Sequence, residues 1–187
     1  AMELDLALDA AAAPWSPDDP AQLSDETAWH QDLMDWIQTI RSNPSLTCPD
    51  AVRQADEVSL GLRFTDDASI AELNSAWRQK PGPTDVLSFA ALEDSPDWQQ
   101  EASVELGDIV VSLDTARRQA LEQVHSLRHE LRWLVSHGLL HLLGWDHPDD
   151  TSLEAMLQLQ EQLLDSGGNV QARRDLPVES DINGHAH

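Results

Sequence analysis

Between His137 and His147 the chain reads His-Gly-Leu-Leu-His-Leu-Leu-Gly-Trp-Asp-His, with histidines at i, i+4 and i+10. No other segment narrows the possible folds as much. Residues four apart on a helix project from one face a turn apart, so His137 and His141 can present two imidazole nitrogens to one ion. Gly144 then falls where a helix end favours a left-handed residue, which turns the chain and lets His147 approach the same ion from beyond the helix. Three nitrogens with one position open is the arrangement of catalytic zinc, since closed structural sites use a fourth protein ligand, usually cysteine.

A single histidine on a half-buried helix is ordinarily structural, whereas three in register with a glycine break are read here as a metal site. The same spacing occurs in the metzincin proteases, His-Glu-x-x-His-x-x-Gly-x-x-His, which makes a peptidase the competing reading. It fails at one residue. A zincin needs the glutamate after its first histidine as general base, and here that position is Gly138, which has no side chain to take a proton.

At 187 residues the chain can bury a core without disulfides. We expect one metallohydrolase domain over residues 1–167 and a disordered acidic tail over 168–187. The single Cys48, between Thr47 and Pro49, permits no intramolecular disulfide and fits a reducing cytosol. No apolar run approaches the ~20 residues that span a bilayer, and the first residues are acidic with no basic leader. The expectation is a cytoplasmic protein without a membrane partner.

The formal charge of −23, from 34 acidic and 11 basic residues, argues against a broad electrostatic footprint on nucleic acid. DNA is not an expected partner, and any RNA contact must be local. Eight of the basic residues fall between Arg53 and Arg132, and the first 40 residues contain none. Two readings stand: a locally positive cleft on an acidic body, or a solvated scatter of arginines.

Apolar and acidic residues alternate over Met2–Leu8, which predicts an edge strand. Ser24 and Thr27 open a helical stretch carrying Trp29, Leu33, Trp36, Ile37 and Ile40 that Asn43-Pro44 ends. Its tryptophans are core or subunit-contact candidates. Val58, Leu60, Leu62 and Phe64 alternate as a half-buried strand running into a turn at Asp66-Asp67, and Ile70–Trp77 reads as a short helix. Pro81-Gly82-Pro83 precedes a second strand over 85–89, and a hydrophilic loop follows over 93–102. Val104–Leu113 is a core strand in which Gly107 marks a bulge or a close approach. Asp114 is the expected cap of the next helix, and the metal helix begins near Ser126 with a wide apolar stripe. A last helix over 152–164 ends at Gly167-Gly168, and beyond Asn169 the tail carries His185 and His187, read as unrelated to the site. The fold class is α/β (α+β): a small four-stranded mixed sheet packed with about five helices, the metal helix in the core. Strand order stays open.

Three segments are similar to the YbeY family, bacterial endoribonucleases that act in ribosomal RNA maturation. They are Asn74-Ser-Ala-Trp-Arg78 leading through Pro83-Thr-Asp-Val-Leu-Ser-Phe89, then Leu106-Gly-Asp-Ile109, then the histidine segment. Trp145 stands where the family usually has Tyr or Phe, and Ala90 where it has proline. The resemblance implies a zinc-like ion on His137, His141 and His147, with Arg78 facing it across a cleft. Hydrolysis of a phosphodiester needs an activated water and a cation to offset charge on the nonbridging oxygens, and a guanidinium binds those oxygens in bidentate fashion. On its own, Arg78 would read as a surface arginine at a helix end.

Asp146 either orients a ligand imidazole or is a turn residue. Asp85 and Ser88, with Thr84, are expected to support the cleft wall, and Asp108 is the other acidic candidate near a strand end, or else a buried, hydrogen-bonded turn carboxylate. The activity implied is a metal-dependent, single-strand-specific endoribonuclease in small-subunit rRNA 3' end processing and ribosome quality control. It would carry one Zn2+ per chain, or another divalent transition metal, with rRNA, the small ribosomal subunit and its assembly factors as partners. The alternatives are a metallopeptidase or other metallohydrolase, and a non-catalytic ribosome-assembly factor with a structural metal.

Overall fold

The computed structural model describes residues 2–92 and 102–166. Most of the loop expected over 93–102, the Gly167-Gly168 stop and the tail with His185 and His187 lie outside the described residues. Four strands, β1 (Glu3–Asp9), β2 (Glu57–Thr65), β3 (Val86–Ala90) and β4 (Ser103–Ser112), form one sheet in the order β1-β2-β4-β3. β1, β2 and β4 run parallel, and β3 pairs antiparallel with β4. The helices are α1 (Glu26–Ser42), α2 (Asp50–Gln54), α3 (Asp67–Arg78), α4 (Leu113–Gln123), α5 (Leu127–Leu142) and α6 (Asp150–Ser166). The mixed sheet and α/β class agree with the sequence. The helix beyond the expected five is α2, whose five residues are too few to show a period.

Alternation explains both faces of the sheet. Val58, Leu60, Leu62 and Phe64 of β2 and Ile109 and Val111 of β4 join the main core with α1, α5 and α6. On the other face Leu87 and Val110 meet Ile70 of α3 in a small separate cluster. Trp29 and Trp36 are core residues, 2% and 1% exposed, rather than a contact surface. β4 carries the expected irregularity: Ser59 pairs with Glu105 and Leu60 with Gly107, so Leu106 is the extra residue of a bulge. Gly107 has φ +131, and a Cβ there would stand 2.0 Å from the carbonyl oxygen of Phe89. Only glycine lets β3 approach.

Ser126 caps α5 by accepting from the His129 amide, and Asp66 caps α3 by accepting from Ser69. The expected Asp66-Asp67 turn is thus a helix start. Two expected caps move by a residue or two. Asp25, not Ser24, accepts at the start of α1, because Ser24 belongs to a 3-10 turn over Ala21–Ser24. Ser112, not Asp114, caps α4, and the Asp114 carboxylate instead accepts the Asp67 amide at 3.0 Å, joining the first turns of α3 and α4.

Four of the arginines serve separate cross-links. Arg53 donates to the carbonyls of Arg41, Asn43 and Leu46; Arg117 pairs with Asp19 and Arg118 with Asp67, each at 2.9 Å. Arg132, 1% exposed, pairs with Asp32 at 3.0 Å and lies over the Trp36 ring.

Candidate metal centre

Every residue of α5 from His129 to Leu140 is buried, as befits a helix enclosed on all sides. It packs on β3 and β4, with α4 and α6 alongside. Gly138 makes the close approach to the sheet possible: a Cβ there would stand 2.8 Å from Ile109 Cγ2 and 3.1 Å from Ser88 Oγ. The position after the first histidine therefore faces the sheet. A glutamate there has no room to reach a metal-bound substrate, which removes the zincin geometry and not just its residue.

The helix ends as the glycine break requires. Gly144 has φ +97, its amide donates to His141 O at 3.1 Å, and the Trp145 amide donates to Leu140 O at 2.9 Å. Trp145 Nε1 donates to Thr47 O at 2.9 Å, which anchors the turn to the loop holding Cys48. Asp146 Oδ1 then accepts the His147 amide at 2.8 Å. These bonds return His147 to the helix end, with ring centroids 5.7 Å from His137 and 5.4 Å from His141.

One ring nitrogen from each of His137, His141 and His147 lies within 4.8 Å of the other two. His137 Nε2 and His141 Nε2 are 3.1 Å apart. Two nitrogens bound to tetrahedral zinc at roughly 2.0 Å are separated by about 3.3 Å, so the pair is already at ligand spacing. His147 Nε2 is buried with no hydrogen-bond partner, an arrangement that costs free energy unless the lone pair is used. Burial, then the neighbouring imidazoles, lower the His137 pKa to about 3. Burial, then His147, lower that of His141 to about 4, with the Arg78 charge adding to the effect. Both rings are neutral near pH 7, the form that binds metal. The three residues fit a divalent ion.

His137 Nδ1 stands 3.1 Å from Oε1 of Gln160 on α6. Gln160 is fully buried and its presence at the site was not anticipated. The signal was available: it is the one polar member of an otherwise apolar face formed by Leu153, Met156, Leu159, Leu163 and Leu164.

Arg78 ends α3, after which Gln79 turns left-handed at φ 57 and the chain reverses toward β3. Its Nη2 donates to the Ser88 carbonyl at 2.6 Å and its guanidinium lies 5.8 Å from the centre of the Phe89 ring. The Ser88 hydroxyl donates in turn to Gly138 O. Asp85, 2% exposed, immediately precedes β3, where it accepts the Val86 amide at 2.7 Å and Gln119 Nε2 at 3.2 Å. Asp108 is not the buried turn carboxylate expected: it is exposed in mid-strand on β4, with its Oδ1 over Gly61.

A family model described as Endoribonuclease YbeY matches residues 22–168. The chain belongs to the YbeY family. The matched span includes all six helices and so every residue of the candidate site, while β1 precedes it. Among YbeY relatives, "Endoribonuclease YbeY" of Parasynechococcus marenigrum (strain WH8102) is 66% identical, over the whole of both chains. The protein of the same name from Synechococcus sp. (strain CC9902) is 62% identical over 95% of this chain and 99% of its own. That from Prochlorococcus marinus (strain MIT 9313) is 53% identical over 90% and 93%. The solution structure of TM1509 from Thermotoga maritima superposes with a TM-score of 0.50 at 19% identity, covering 92% of this chain and 96% of that one. That likeness concerns the fold alone. Among the described residues no helix is long and apolar enough to cross a membrane.

Proposed function

We propose that this YbeY chain is a metal-dependent, single-strand-specific endoribonuclease that matures the 3' end of small-subunit ribosomal RNA and acts in ribosome quality control. The observation that carries the reading is the placement of Arg78 on the Ser88 carbonyl, one residue bridge from Gly138 and within electrostatic reach of His141. The name shared by the relatives, Endoribonuclease YbeY, supports the substrate class.

His137, His141 and His147 would hold one divalent ion per chain, zinc for preference, and that ion when bound would supply activation of the water for attack on the phosphodiester. Imidazole sites also accept other divalent transition metals. Arg78 binds the nonbridging oxygens of the scissile phosphate and offsets the charge that grows on them. The Ser88 carbonyl holds the guanidinium on the edge strand beside the histidine helix. Trp77, 70% exposed and edge-on to Phe89, offers a stacking face to an unpaired base, which favours single strands over duplex. Asp146 sets the turn that delivers His147, while Asp85 and Ser88 hold the wall of the cleft.

The charge of −23 opposes tight binding of free RNA, so in the proposed cycle the small ribosomal subunit and its assembly factors present the strand in the cytoplasm. Residues 1–167 are proposed as one metallohydrolase domain. The test is cleavage of a labelled single-stranded ribosomal RNA fragment by wild type and His141→Ala, with metal content measured on both. Wild type should carry about one ion and cut, and the variant should do neither. Equal cutting by both would assign the activity to a contaminant.

A further inference from the structure

We propose that Gln160 is the positioning residue that sets the tautomer and ring orientation of His137 for metal capture. The inference rests on reading His137 as a ligand. Gln160 extends from α6 into the core against α5 and has no solvent contact. Its Nε2 donates to Trp133 O at 3.0 Å and to Ser136 Oγ at 3.1 Å. The Ser136 hydroxyl is itself committed as a donor to Trp133 O at 2.9 Å, so it accepts from the amide. Both amide hydrogens are thereby used, and a flipped amide would set an oxygen against the Trp133 carbonyl with no hydrogen between them.

The amide oxygen is therefore the atom that meets His137 Nδ1 at 3.1 Å. An oxygen that only accepts requires Nδ1 to carry the hydrogen. In a neutral imidazole Nε2 is then the bare nitrogen, and Nε2 is the atom that faces His141. Metal-binding histidines ordinarily hand their second N–H to an acceptor of this kind, and loss of that partner costs 10–100-fold in metal affinity. The acceptor is an amide instead of a carboxylate, so the enclosed site gains a fixed hydrogen bond without an unpaired buried charge when metal is absent.

The experiment is zinc affinity, by chelator competition, of full-length wild type, Gln160→Leu, Gln160→Glu and His141→Ala, together with histidine-ring 15N NMR of the metal-free wild type. Gln160→Leu should bind zinc 10–100-fold more weakly than wild type. Gln160→Glu, which restores an acceptor at the same reach, should stay nearer wild type than the leucine variant. His137 should be protonated on Nδ1 and bare on Nε2. Wild-type affinity in Gln160→Leu, or an Nε2-protonated His137, would overturn the proposal. The NMR result needs no variant, so it decides even where Gln160→Leu does not fold. Zinc binding that is lost in His141→Ala but unchanged in Gln160→Leu sinks the role of Gln160 and leaves the metal centre standing. Absence of zinc binding in wild type sinks both.

Discussion

The Ser88 hydroxyl donates to the Gly138 carbonyl at 3.1 Å, so the edge strand that holds Arg78 is fastened to the residue following His137. Ser88 is used twice: its side chain grips the histidine helix and its carbonyl fixes the guanidinium at 2.6 Å. Arg78 is thereby tied through one residue to the helix that carries His137 and His141.

Arg78→Ala should retain the metal content of wild type and lose at least ~10-fold in the rate of RNA cleavage, the usual scale for removing a group that stabilises developing charge. Arg78→Lys should recover only part of that loss, because an ammonium cannot hold the Ser88 carbonyl and two phosphate oxygens in one plane. Single-turnover rates at saturating RNA check this. Equal rates in wild type and Arg78→Ala would remove the arginine from the chemistry.

The metal-free protein should lose stability as acid is added, earlier than carboxylate titration alone allows. His137 and His141 are held at about 3 and about 4 in the fold, against ~6.5 in the unfolded chain. Above pH 6.5 neither state takes a proton on these rings and stability is at its full value. Below it the unfolded state protonates first, so each ring costs at most about 1.4 kcal/mol per pH unit until its folded pKa is reached. Urea midpoints of stripped protein at pH 7.5 and pH 5.0 measure the effect, and superimposable curves would argue that the rings are less enclosed than described.

Gly138→Ala should lower stability by about 1–3 kcal/mol. The added methyl meets Ile109 Cγ2 at 2.8 Å, and a branched side chain inside a packed sheet face has little room to retreat. Alanine's better helix propensity recovers at most about 1 kcal/mol. A denaturant midpoint at or above wild type would mean that α5 does not rest on the sheet at this point.

Asp32→Ala should cost about 3 kcal/mol or more by leaving Arg132, 1% exposed, without its carboxylate in the core. The pair spans 100 residues of sequence at 3.0 Å, joining α1 to α5. A Tm within a degree of wild type would show that water reaches the guanidinium.

Much of this site was legible in the sequence because its residues are local. His137, His141, Gly144 and His147 lie within eleven positions, and helix geometry with a glycine turn dictates how they meet. The Ser126 cap and the alternation of Val58 to Phe64 were equally readable, since each depends on neighbours within a few residues. Strand order was not, because the insertion of β4 between β2 and β3 depends on Gly107 admitting the Phe89 backbone, a contact between distant segments. Gln160 was missed for the same reason: a polar residue on an apolar face announces a partner but not which one. The caps at Asp25 and Ser112 were misplaced because Ser and Asp residues one or two positions apart are near-equivalent acceptors, and the surrounding chain chose between them.

The sheet order β1-β2-β4-β3 also governs when the site can exist. Among the described strands β3 has one neighbour, β4, which is made after it, and the histidines follow later still on α5 and its turn. A growing chain emerging at about 5–20 residues per second presents Arg78 long before anything is available to hold it. Arginine and imidazoles assemble only when nearly the whole domain has left the exit tunnel. An unfinished chain thus has no half-built nuclease to release into a cell full of RNA.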